Sequence, residues 1–381
     1  MPEPSAAAPV VVIGAGFAGV AAAWAATRAG ARVVVIHGPA GSSALYTGFV
    51  DGAAPSSEAR ELAAALGLIV EGGPRAVASR EGAVRPAFGR DRALLDLDAL
   101  AGRRIAVADF GRDDWDARLV ARSLAASVWA ERTRTAFTCV RAAALGDGAE
   151  RRIPAYDLAL RFDTEPRVAA LTRELRFAVG DADGVLTGPF LGVRTPVAAT
   201  LSAALGRPVG ETSSAPGGVA GARFEQGRGA LLEKIGVELR RARVLAVRAG
   251  SSGLELELDA GPPVAARSVV LAIGGVAGGG VELAVSSDGA RRGFRLSLAA
   301  DVTLELDGHV CDGASSLFGV SFVRLGLDAL ERVGLRVDAR GRAARELPIY
   351  AAGDVLSGGA RDVLGALESG HAAGHAAAGR G

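Results

Sequence analysis

The sequence is poor in the residue types on which several common site chemistries depend. Cys139 and Cys311 are the only cysteines, with no CxxC spacing, so neither a zinc knuckle nor a dithiol redox motif is available. Lys234 is the only lysine, which argues against a Walker-type phosphate lysine and against Schiff-base chemistry. A net charge of +1 gives no long-range attraction to nucleic acid or to an anionic membrane. With so few cysteines, we expect a cytoplasmic protein.

Glycine, in contrast, is abundant. The chain has 53 glycines in 381 residues, about twice the usual share, which indicates many tight turns and close backbone approaches. A chain of this length exceeds the usual size of one hydrophobic core, so we expect two or three domains. The hydrophobic content of 49% and charged content of 22% are ordinary for a globular protein.

The uncharged stretch 6–26 is long enough to imitate a membrane span. No basic residue precedes it, and the sequence GAGFAG interrupts it, so it predicts a strand, a turn and a helix rather than a signal peptide or a span. The β-branched run 10–13 predicts the strand, and the helix should end near Ala29 with Gly30 as its stop. A second apolar run at 33–36 completes a βαβ unit, which belongs in an α/β sheet.

The alternation of strands and helices resumes at Arg104. Apolar runs at 105–110, 135–140 and 185–192, with helical patterns at 113–130 and near 166–179, indicate an inserted α/β lobe.

The rest of the chain has a different period. A helix ending near Ile235 precedes three strands within 244–275, and the alternation LELEL indicates a half-exposed hairpin. A short strand, a Gly-Asp turn and a small-residue helix follow. The predicted fold is α/β, a discontinuous dinucleotide-binding (Rossmann-like) domain with an inserted lobe and a cap. The predicted boundaries are 1–90, 208–282 and 335–381 for the dinucleotide-binding domain, 91–207 for the lobe and 283–334 for the cap or substrate region.

The pattern Gly14-x-Gly16-x-x-Gly19 directly follows the first strand and opens the first helix, the context in which it predicts a dinucleotide site. Gly14 allows the tight turn, Gly16 lets the backbone approach a phosphate, and Gly19 lets the helix pack on the strand. The helix N-terminus offers main-chain N–H groups to an anion. Ala15, Phe17 and Ala18 complete the predicted loop.

Later segments favour a flavin over NAD. A second glycine-rich strand end, VVLAIGG, carries Gly274 and Gly275, and the motif YAAGD carries Gly353, Asp354 and Val355. This layout resembles the flavoproteins related to glutathione reductase and fumarate reductase, and the resemblance implies that the dinucleotide-binding domain is a flavin-binding (flavoprotein) domain. The resemblance implies that Asp354 binds the ribityl chain. It also implies a helix, beginning near Gly359, whose positive end faces the pyrimidine edge of the flavin and stabilises its reduced anion.

A closer resemblance extends over nearly the whole chain. The segments GSSALYTGFVDG, IAVADFGRDDWDARLVARSLA, SAPGGVAGARFEQGRGALLEKIG and SVVLAIGGVAGGGVELA occur in the order found in the B-subunit family of anaerobic glycerol-3-phosphate dehydrogenase. The resemblance implies a flavoprotein subunit that works with a catalytic FAD subunit and an iron-sulfur membrane-anchoring subunit. It implies oxidation of glycerol 3-phosphate to dihydroxyacetone phosphate, with electrons passed to quinone at the inner face of the membrane.

The second strand lacks the acid that usually grips the adenosine ribose. His37 stands at that position, followed by Gly38, and no Asp or Glu occurs between Gly14 and Val50. No Arg follows His37 to bind a 2′-phosphate, so NADP is also poorly served. The sequence therefore predicts either FAD held through backbone contacts or the shorter FMN. The resemblance also implies FMN. We place FAD first, with FMN as the alternative.

The small-residue segment after the second strand is a candidate flavin contact or a plain surface turn. It can approach a pyrophosphate without bulk, and the predicted contacts are Ser42, Ser43, Ala44, Leu45 and Gly48.

Other polar residues are weaker candidates. His371 and His375 share a helix face but lack a third metal ligand, so we predict packing rather than a metal site. His309 could act as an acid or base in the cap. Arg291, Arg292 and Arg295 could meet a substrate phosphate or an acidic partner, although a solvated charged face is the simpler interpretation.

Three functions remain open from the sequence. The first is an oxidoreductase subunit of the glycerol-3-phosphate dehydrogenase type, since no convincing catalytic base is visible. The second is a free-standing FAD enzyme that oxidises another small hydroxy acid or amine, with its base in 283–334. The third is a non-catalytic flavin-binding scaffold.

Overall fold

A computed structural model describes residues 8–38, 41–145, 148–251, 253–285, 292–310 and 329–379. It confirms the α/β class with parallel sheets. The chain divides into two compact units, which we call unit 1 and unit 2. Unit 1 contains 1–43, 55–63 and 228–381, and unit 2 contains 44–54 and 64–227. In the part of the chain described, no helix has the length and apolar character needed to cross a membrane.

Strands and helices are numbered along the chain. The strands are β1 (Val10–Ile13), β2 (Val33–His37), β3 (Phe49–Val50), β4 (Leu68–Ala78), β5 (Val84–Asp91), β6 (Arg104–Asp109), β7 (Ala136–Arg141), β8 (Gly184–Thr187), β9 (Val209–Glu211), β10 (Glu238–Arg241), β11 (Val244–Gly250), β12 (Gly253–Leu258), β13 (Val264–Ala266), β14 (Ser268–Leu271), β15 (Val281–Val285), β16 (Arg292–Leu296), β17 (Leu304–Leu306), β18 (His309–Val310), β19 (Gly334–Leu335) and β20 (Ile349–Ala351). The helices are α1 (Phe17–Arg28), α2 (Ser57–Ala65), α3 (Ala117–Ala125), α4 (Val128–Thr133), α5 (Ala155–Phe162), α6 (Glu165–Ala178), α7 (Val197–Leu205), α8 (Val219–Lys234), α9 (Ala329–Arg332) and α10 (Val363–Ala377).

Unit 1 is built on a five-stranded parallel sheet of order β10-β2-β1-β14-β20. The valine and isoleucine runs of its central strands are buried, as expected for strands covered on both faces. The chain runs outward from β1 to β2 and β10 on one side, and from β14 to β20 on the other. The strand order therefore reverses between β1 and β14, and ligands of such sheets bind outside the carboxyl ends of the strands at this point.

Helices α1 and α10 pack with their backbones in contact. A Cβ added to Gly370 would lie 2.2 Å from the carbonyl oxygen of Ala18, and one added to Gly374 would lie 2.1 Å from that of Ala22. Residues 17–26 of α1 are all buried. The uncharged stretch that imitates a membrane span is thus, in its helical part, a core helix closed by α10, as the strand-turn-helix prediction requires.

The remaining sheets of unit 1 are small. β11, β12 and β13 form an antiparallel sheet, as do β18, β17 and β19, while β15 and β16 form an antiparallel pair. The prediction of three strands within 244–275 was wrong, because the predicted third strand is two strands, β13 and β14. That run divides at Arg267, because β13 pairs antiparallel with β12 whereas β14 joins the parallel sheet.

Unit 2 contains a four-stranded parallel sheet of order β7-β6-β8-β9 and an antiparallel sheet of order β3-β5-β4. The single helix predicted for 113–130 is instead two helices, α3 and α4. The side chain of Asp116 accepts a hydrogen bond from the Leu119 amide and caps α3, and Ser127 accepts one from the Ala130 amide and caps α4. Ser and Asp favour such caps, so the chain restarts its helix at Ser127.

Unit 2 is larger than the lobe predicted at 91–207. It includes the hairpin β4–β5, because Ala76 and Ala78 of β4 pack in the same hydrophobic core as Ile105 and Val107 of β6. It also extends to Gly227 within α8. The predicted segment 1–90 is therefore divided between the two units, with 44–54 and 64–90 in unit 2.

Candidate functional site

The glycine loop lies at the carboxyl end of β1, where the sheet order reverses. Gly14 has a φ of +108°, and a Cβ there would lie 2.1 Å from the carbonyl oxygen of Ala272, which follows β14. A Cβ on Gly19 would lie 1.9 Å from the carbonyl oxygen of Gly14. Gly14 and Gly19 are thus required for the turn and for helix packing, in the roles predicted for them.

Gly16 differs from Gly14 and Gly19 because, among the described residues, no backbone atom excludes a side chain there. It is the N-cap of α1 with ordinary extended backbone (φ −74°), and a Cβ would meet the Ser43 side chain, with the hydroxyl at 2.7 Å. Ser43 Oγ accepts a hydrogen bond from the Phe17 amide at 3.2 Å. The hydroxyl therefore satisfies one of the helix N-terminal amides that could otherwise bind an anion.

Asp354 lies beside this loop, although it is more than 300 residues away in the sequence. Ser42 Oγ donates to Asp354 Oδ2 at 3.2 Å, and the residue after Ser42 is the one that contacts the loop. A Cβ on Gly353 would lie 2.7 Å from the Cβ of Ala18 in α1. The glycine loop, the start of the small-residue segment and the Gly-Asp turn are therefore neighbours within unit 1.

The second glycine-rich strand end completes this side of the sheet. Gly274 has a φ of +78°. A Cβ on Gly275 would lie 2.6 Å from the carbonyl oxygen of Asp354 and 2.7 Å from Nη1 of Arg361. Val355, another predicted site residue, is fully buried and packs in the core of unit 1, so its side chain is structural.

The last helix begins later than predicted. The sequence placed its start near Gly359, but α10 starts at Val363, because the Asp362 carboxylate accepts a hydrogen bond from the Gly365 amide at 2.7 Å. Arg361, which was not predicted as a site residue, immediately precedes this cap. Gly359 lies in the connection between the turn and the helix, where its Cβ position meets Leu356 at ordinary contact distance.

Another arginine that was not predicted, Arg228, contacts the glycine loop. Arg228 of α8 is partly buried, and its Nη1 donates to the carbonyl oxygen of Ala15 at 3.2 Å. Its position depends on the packing of a helix that begins 200 residues after the loop, so no local pattern indicates it.

At the end of β2, His37 stands where an acidic residue usually binds the ribose, and it lies beside an arginine. His37 lies beside Arg241 in the pairing of β2 with β10, and its Nδ1 lies 2.9 Å from the carbonyl oxygen of Gly38. Arg241 is exposed. No arginine follows His37 in the sequence, but strand pairing brings Arg241 beside it from a distant segment.

Three predicted contacts belong to unit 2. Ala44 and Leu45 end a 3-10 helix, and Leu45 is half-exposed. Gly48 has a φ of +108°, and a Cβ there would lie 2.7 Å from Leu94 Cδ1, so packing within unit 2 explains this glycine.

The remaining candidates are not brought to the loop. His371 packs against Trp24 of α1, with ring centroids 5.8 Å apart, and His375 lies one turn further along α10. His309 is exposed on β18, and Arg295 forms an exposed ion pair with Glu282 at 2.9 Å. Arg291 and the Arg292 side chain lie outside the described residues. No group of three His, Cys, Asp or Glu side chains within the described ranges could hold a metal ion.

Unit 2 has its own order reversal, between β6 and β8, but side chains fill it. Phe110 and Phe190 form an edge-to-face pair with centroids 5.3 Å apart, and the Trp115 indole donates to the carbonyl oxygen of Ala108. A Cβ on Gly188 would lie 2.5 Å from the Phe190 ring. This position is therefore packed as a core rather than open to a ligand.

A buried charge cluster lies elsewhere in unit 2. Arg223 forms ion pairs with Glu211 at 2.7 Å and with Asp91 at 3.3 Å, and all three side chains are at most 10% exposed. Burial raises the pKa of Glu211 despite the nearby cation. The Arg223 guanidinium also donates to the carbonyl oxygens of Gly192 and Leu191, so it joins several segments of the unit.

Comparison with known proteins gives one family match. The family model of glucose inhibited division protein A matches residues 9–70, which include the glycine loop, α1 and the start of the small-residue segment. No protein with a curated description matches the chain.

Several solved structures are distantly similar. The GidA-related protein from Thermus thermophilus is 14% identical, with 97% of this chain and 98% of that chain covered and a TM-score of 0.34. The open conformation of a flavocytochrome c3 fumarate reductase is 12% identical, with 99% and 79% covered and a TM-score of 0.37. AlpK is 16% identical with a TM-score of 0.34 and 97% of this chain covered, and the chain spans 60% of its length. These superpositions are loose, so the fold assignment rests on the sheet order described above.

Proposed function

We propose that this protein is a flavin-dependent oxidoreductase and that unit 1 binds FAD. The observation that carries the proposal is the hydrogen bond between Ser42 and Asp354, beside the Gly14–Gly19 loop. It makes one continuous site out of a phosphate-binding element and a carboxylate that can bind hydroxyl groups. The family match at residues 9–70 covers the glycine loop and Ser42.

The residues present fit a dinucleotide. Main-chain amides at the start of α1 would hold the pyrophosphate, and the absence of a Cβ at Gly16 lets the Ser43 hydroxyl lie against the loop beside them. The Arg228 guanidinium, anchored on the Ala15 carbonyl, would add positive charge beside the loop. Asp354 would accept hydrogen bonds from the ribityl hydroxyls. A bound flavin would supply the redox chemistry, accepting a hydride equivalent from the substrate and passing electrons on.

Among the described residues at this site we find no general base. The Asp354 carboxylate accepts a hydrogen bond from Ser42, while the His371 ring packs against Trp24 of α1. A site without a base suits an electron-transferring or supporting subunit. We therefore place the protein beside a catalytic FAD subunit and an iron-sulfur subunit at the inner membrane face, in a complex that oxidises glycerol 3-phosphate, as the sequence resemblance implies.

The cofactor assignment is tested by denaturing the purified protein and chromatographing what it releases. We expect FAD. Release of FMN would support the flavin site with a shorter ligand. FMN lacks the adenosine ribose, so it would not need the acid that is missing at the end of β2. Release of NADP, which the pairing of His37 with Arg241 would suit, or of no cofactor from folded protein, would contradict the proposal.

The reaction is tested by anaerobic addition of glycerol 3-phosphate to the purified chain. A supporting subunit should keep its oxidised flavin spectrum alone and be reduced only when the proposed partner subunits are present. Bleaching of the isolated chain by glycerol 3-phosphate would show that it is catalytic alone. Bleaching by a different hydroxy acid or amine would favour the free-standing enzyme, and no reduction with partners present would favour a scaffold.

A further inference from the structure

Arg361 is a cation fixed at the Asp354 end of the site. Its Nη1 donates to the carbonyl oxygen of Leu330 at 2.8 Å, and its Nη2 donates to that of Val333 at 2.6 Å. Its Nη1 is also the atom that a Cβ on Gly275 would meet at 2.7 Å. Two neutral acceptors and a neighbouring glycine thus fix the guanidinium next to the turn that carries Asp354.

The charge of Arg361 is not neutralised by these contacts. No carboxylate within the described ranges lies within ion-pair distance of it, and its Nε is buried without a hydrogen-bond partner there. Asp354 and Glu331 are the acids that act on it electrostatically, and the Asp354 carboxylate accepts a hydrogen bond from Ser42. Burial lowers the pKa of Arg361, but a guanidinium stays charged at neutral pH.

Arg361 and the phosphate loop contact the Asp354 turn through different neighbours, because the Arg361 guanidinium lies against Gly275, Leu330 and Val333. Asp354 precedes Arg361, which in turn directly precedes the cap of α10, whose N-terminus is itself positive. The phosphate loop contacts this turn through Ala18 and Gly353. If Asp354 binds the ribityl chain, Arg361 and the start of α10 lie at the ring end of the ligand.

We propose that Arg361 provides a fixed positive charge at the flavin-ring end of this site and thereby raises the reduction potential of the bound flavin. The proposal rests on the proposed function, because it requires a flavin. A cation here stabilises the negative charge that the ring gains on two-electron reduction and has little effect on the neutral oxidised ring. Arg361 would then make the bound flavin a better electron acceptor than the dinucleotide fold alone.

The test compares Arg361→Gln, Arg361→Lys and the control Arg248→Gln. Arg248 is also an arginine of unit 1, but its side chain is 71% exposed on the hairpin β11–β12. The measurement is the midpoint potential of the bound flavin by spectroelectrochemistry, with flavin content measured in parallel. We expect Arg361→Gln to shift the oxidised-to-reduced equilibrium at least tenfold toward oxidised flavin, which is about 30 mV for a two-electron couple. Arg361→Lys should stay closer to the wild type, and Arg248→Gln should not shift it.

A shift in Arg361→Gln no larger than that in Arg248→Gln, with flavin bound, would overturn the inference and leave the proposed function intact. Absence of flavin from the unmodified protein would instead overturn the proposed function. If the Gln variant cannot hold flavin, retention in Arg361→Lys supports a required charge. Loss of flavin in the Lys variant as well would assign Arg361 a structural role and contradict the inference.

Discussion

At the scale of single residues, the three loop glycines are required for different reasons. A side chain at Gly14 or Gly19 meets backbone carbonyl oxygens at about 2 Å, which only a shift of the chain could relieve. At Gly16 it meets the movable hydroxyl of Ser43 in a backbone conformation that any residue adopts. Folding should therefore select Gly14 and Gly19, whereas ligand binding selects Gly16.

Two alanine variants separate these roles. Gly16→Ala should fold with a melting temperature near that of the wild type but lose at least tenfold in FAD affinity, about 1.4 kcal/mol, because its methyl group displaces the Ser43 hydroxyl that lies beside the phosphate-binding amides. Gly19→Ala should be destabilised by overpacking, roughly 1–3 kcal/mol or more. Thermal unfolding and FAD titration of both proteins check this. Equal stability losses in the two variants would remove the distinction.

At the scale of elements, the site depends on how closely α10 packs against α1. The contact between Gly370 and the Ala18 carbonyl fixes α10 relative to the glycine loop, and Gly353 packs on the same alanine. A wider helix spacing would move the Asp354 turn away from the loop. Small residues at this crossing thus set the distance between the two halves of the ligand site.

We expect Gly370→Val to lower the free energy of unfolding by roughly 1–3 kcal/mol, because the backbones must separate to admit the side chain. FAD affinity should fall as well. Ala372→Val is the matched control, since Ala372 lies on the exposed face of the same helix. Denaturant unfolding and FAD titration are the measurements. If Gly370→Val changed neither property relative to Ala372→Val, the helices would not control the site.

At the scale of the whole molecule, the features that depend on local sequence patterns were predicted better than those that depend on contacts between distant segments. The β1-loop-α1-β2 unit and the start of the phosphate site were predictable, because β-branched runs and glycine spacing act within 30 residues. Arg228, Arg241 and Arg361 were not recognised, since strand pairing and helix packing bring the first two from afar. The extent of unit 2 was also missed, because Ala76 and Ala78 carry no signal that they join a core with β6.

The stability of unit 2 should depend on Arg223, which is buried with Asp91 and Glu211. Arg223→Leu leaves two buried carboxyls without a cation and should cost roughly 3–5 kcal/mol at neutral pH. Arg104→Leu, which breaks an exposed pair with Asp181, is the control and should cost about 0–1 kcal/mol.

The loss in Arg223→Leu should depend on pH in a defined direction. Without the cation, burial raises the pKa of Glu211 still further above its unfolded value, so the folded state binds more protons than the unfolded state. Its stability should therefore rise as pH falls. Urea unfolding at about pH 7.5 and about pH 5.5 checks this, relative to the wild type. If the loss of unfolding free energy in Arg223→Leu instead grew on acidification, the carboxyls would not be left buried and charged in the variant.

The central claim is that the glycine loop and Asp354 hold opposite parts of one ligand, and binding of FAD and of ADP to Asp354→Ala tests it most directly. ADP offers the pyrophosphate but no ribityl chain. We predict that Asp354→Ala weakens FAD binding at least tenfold, as expected for lost hydrogen bonds to a charged group, and leaves the dissociation constant of ADP unchanged. Unchanged FAD affinity, or equal losses for FAD and ADP, would contradict the account.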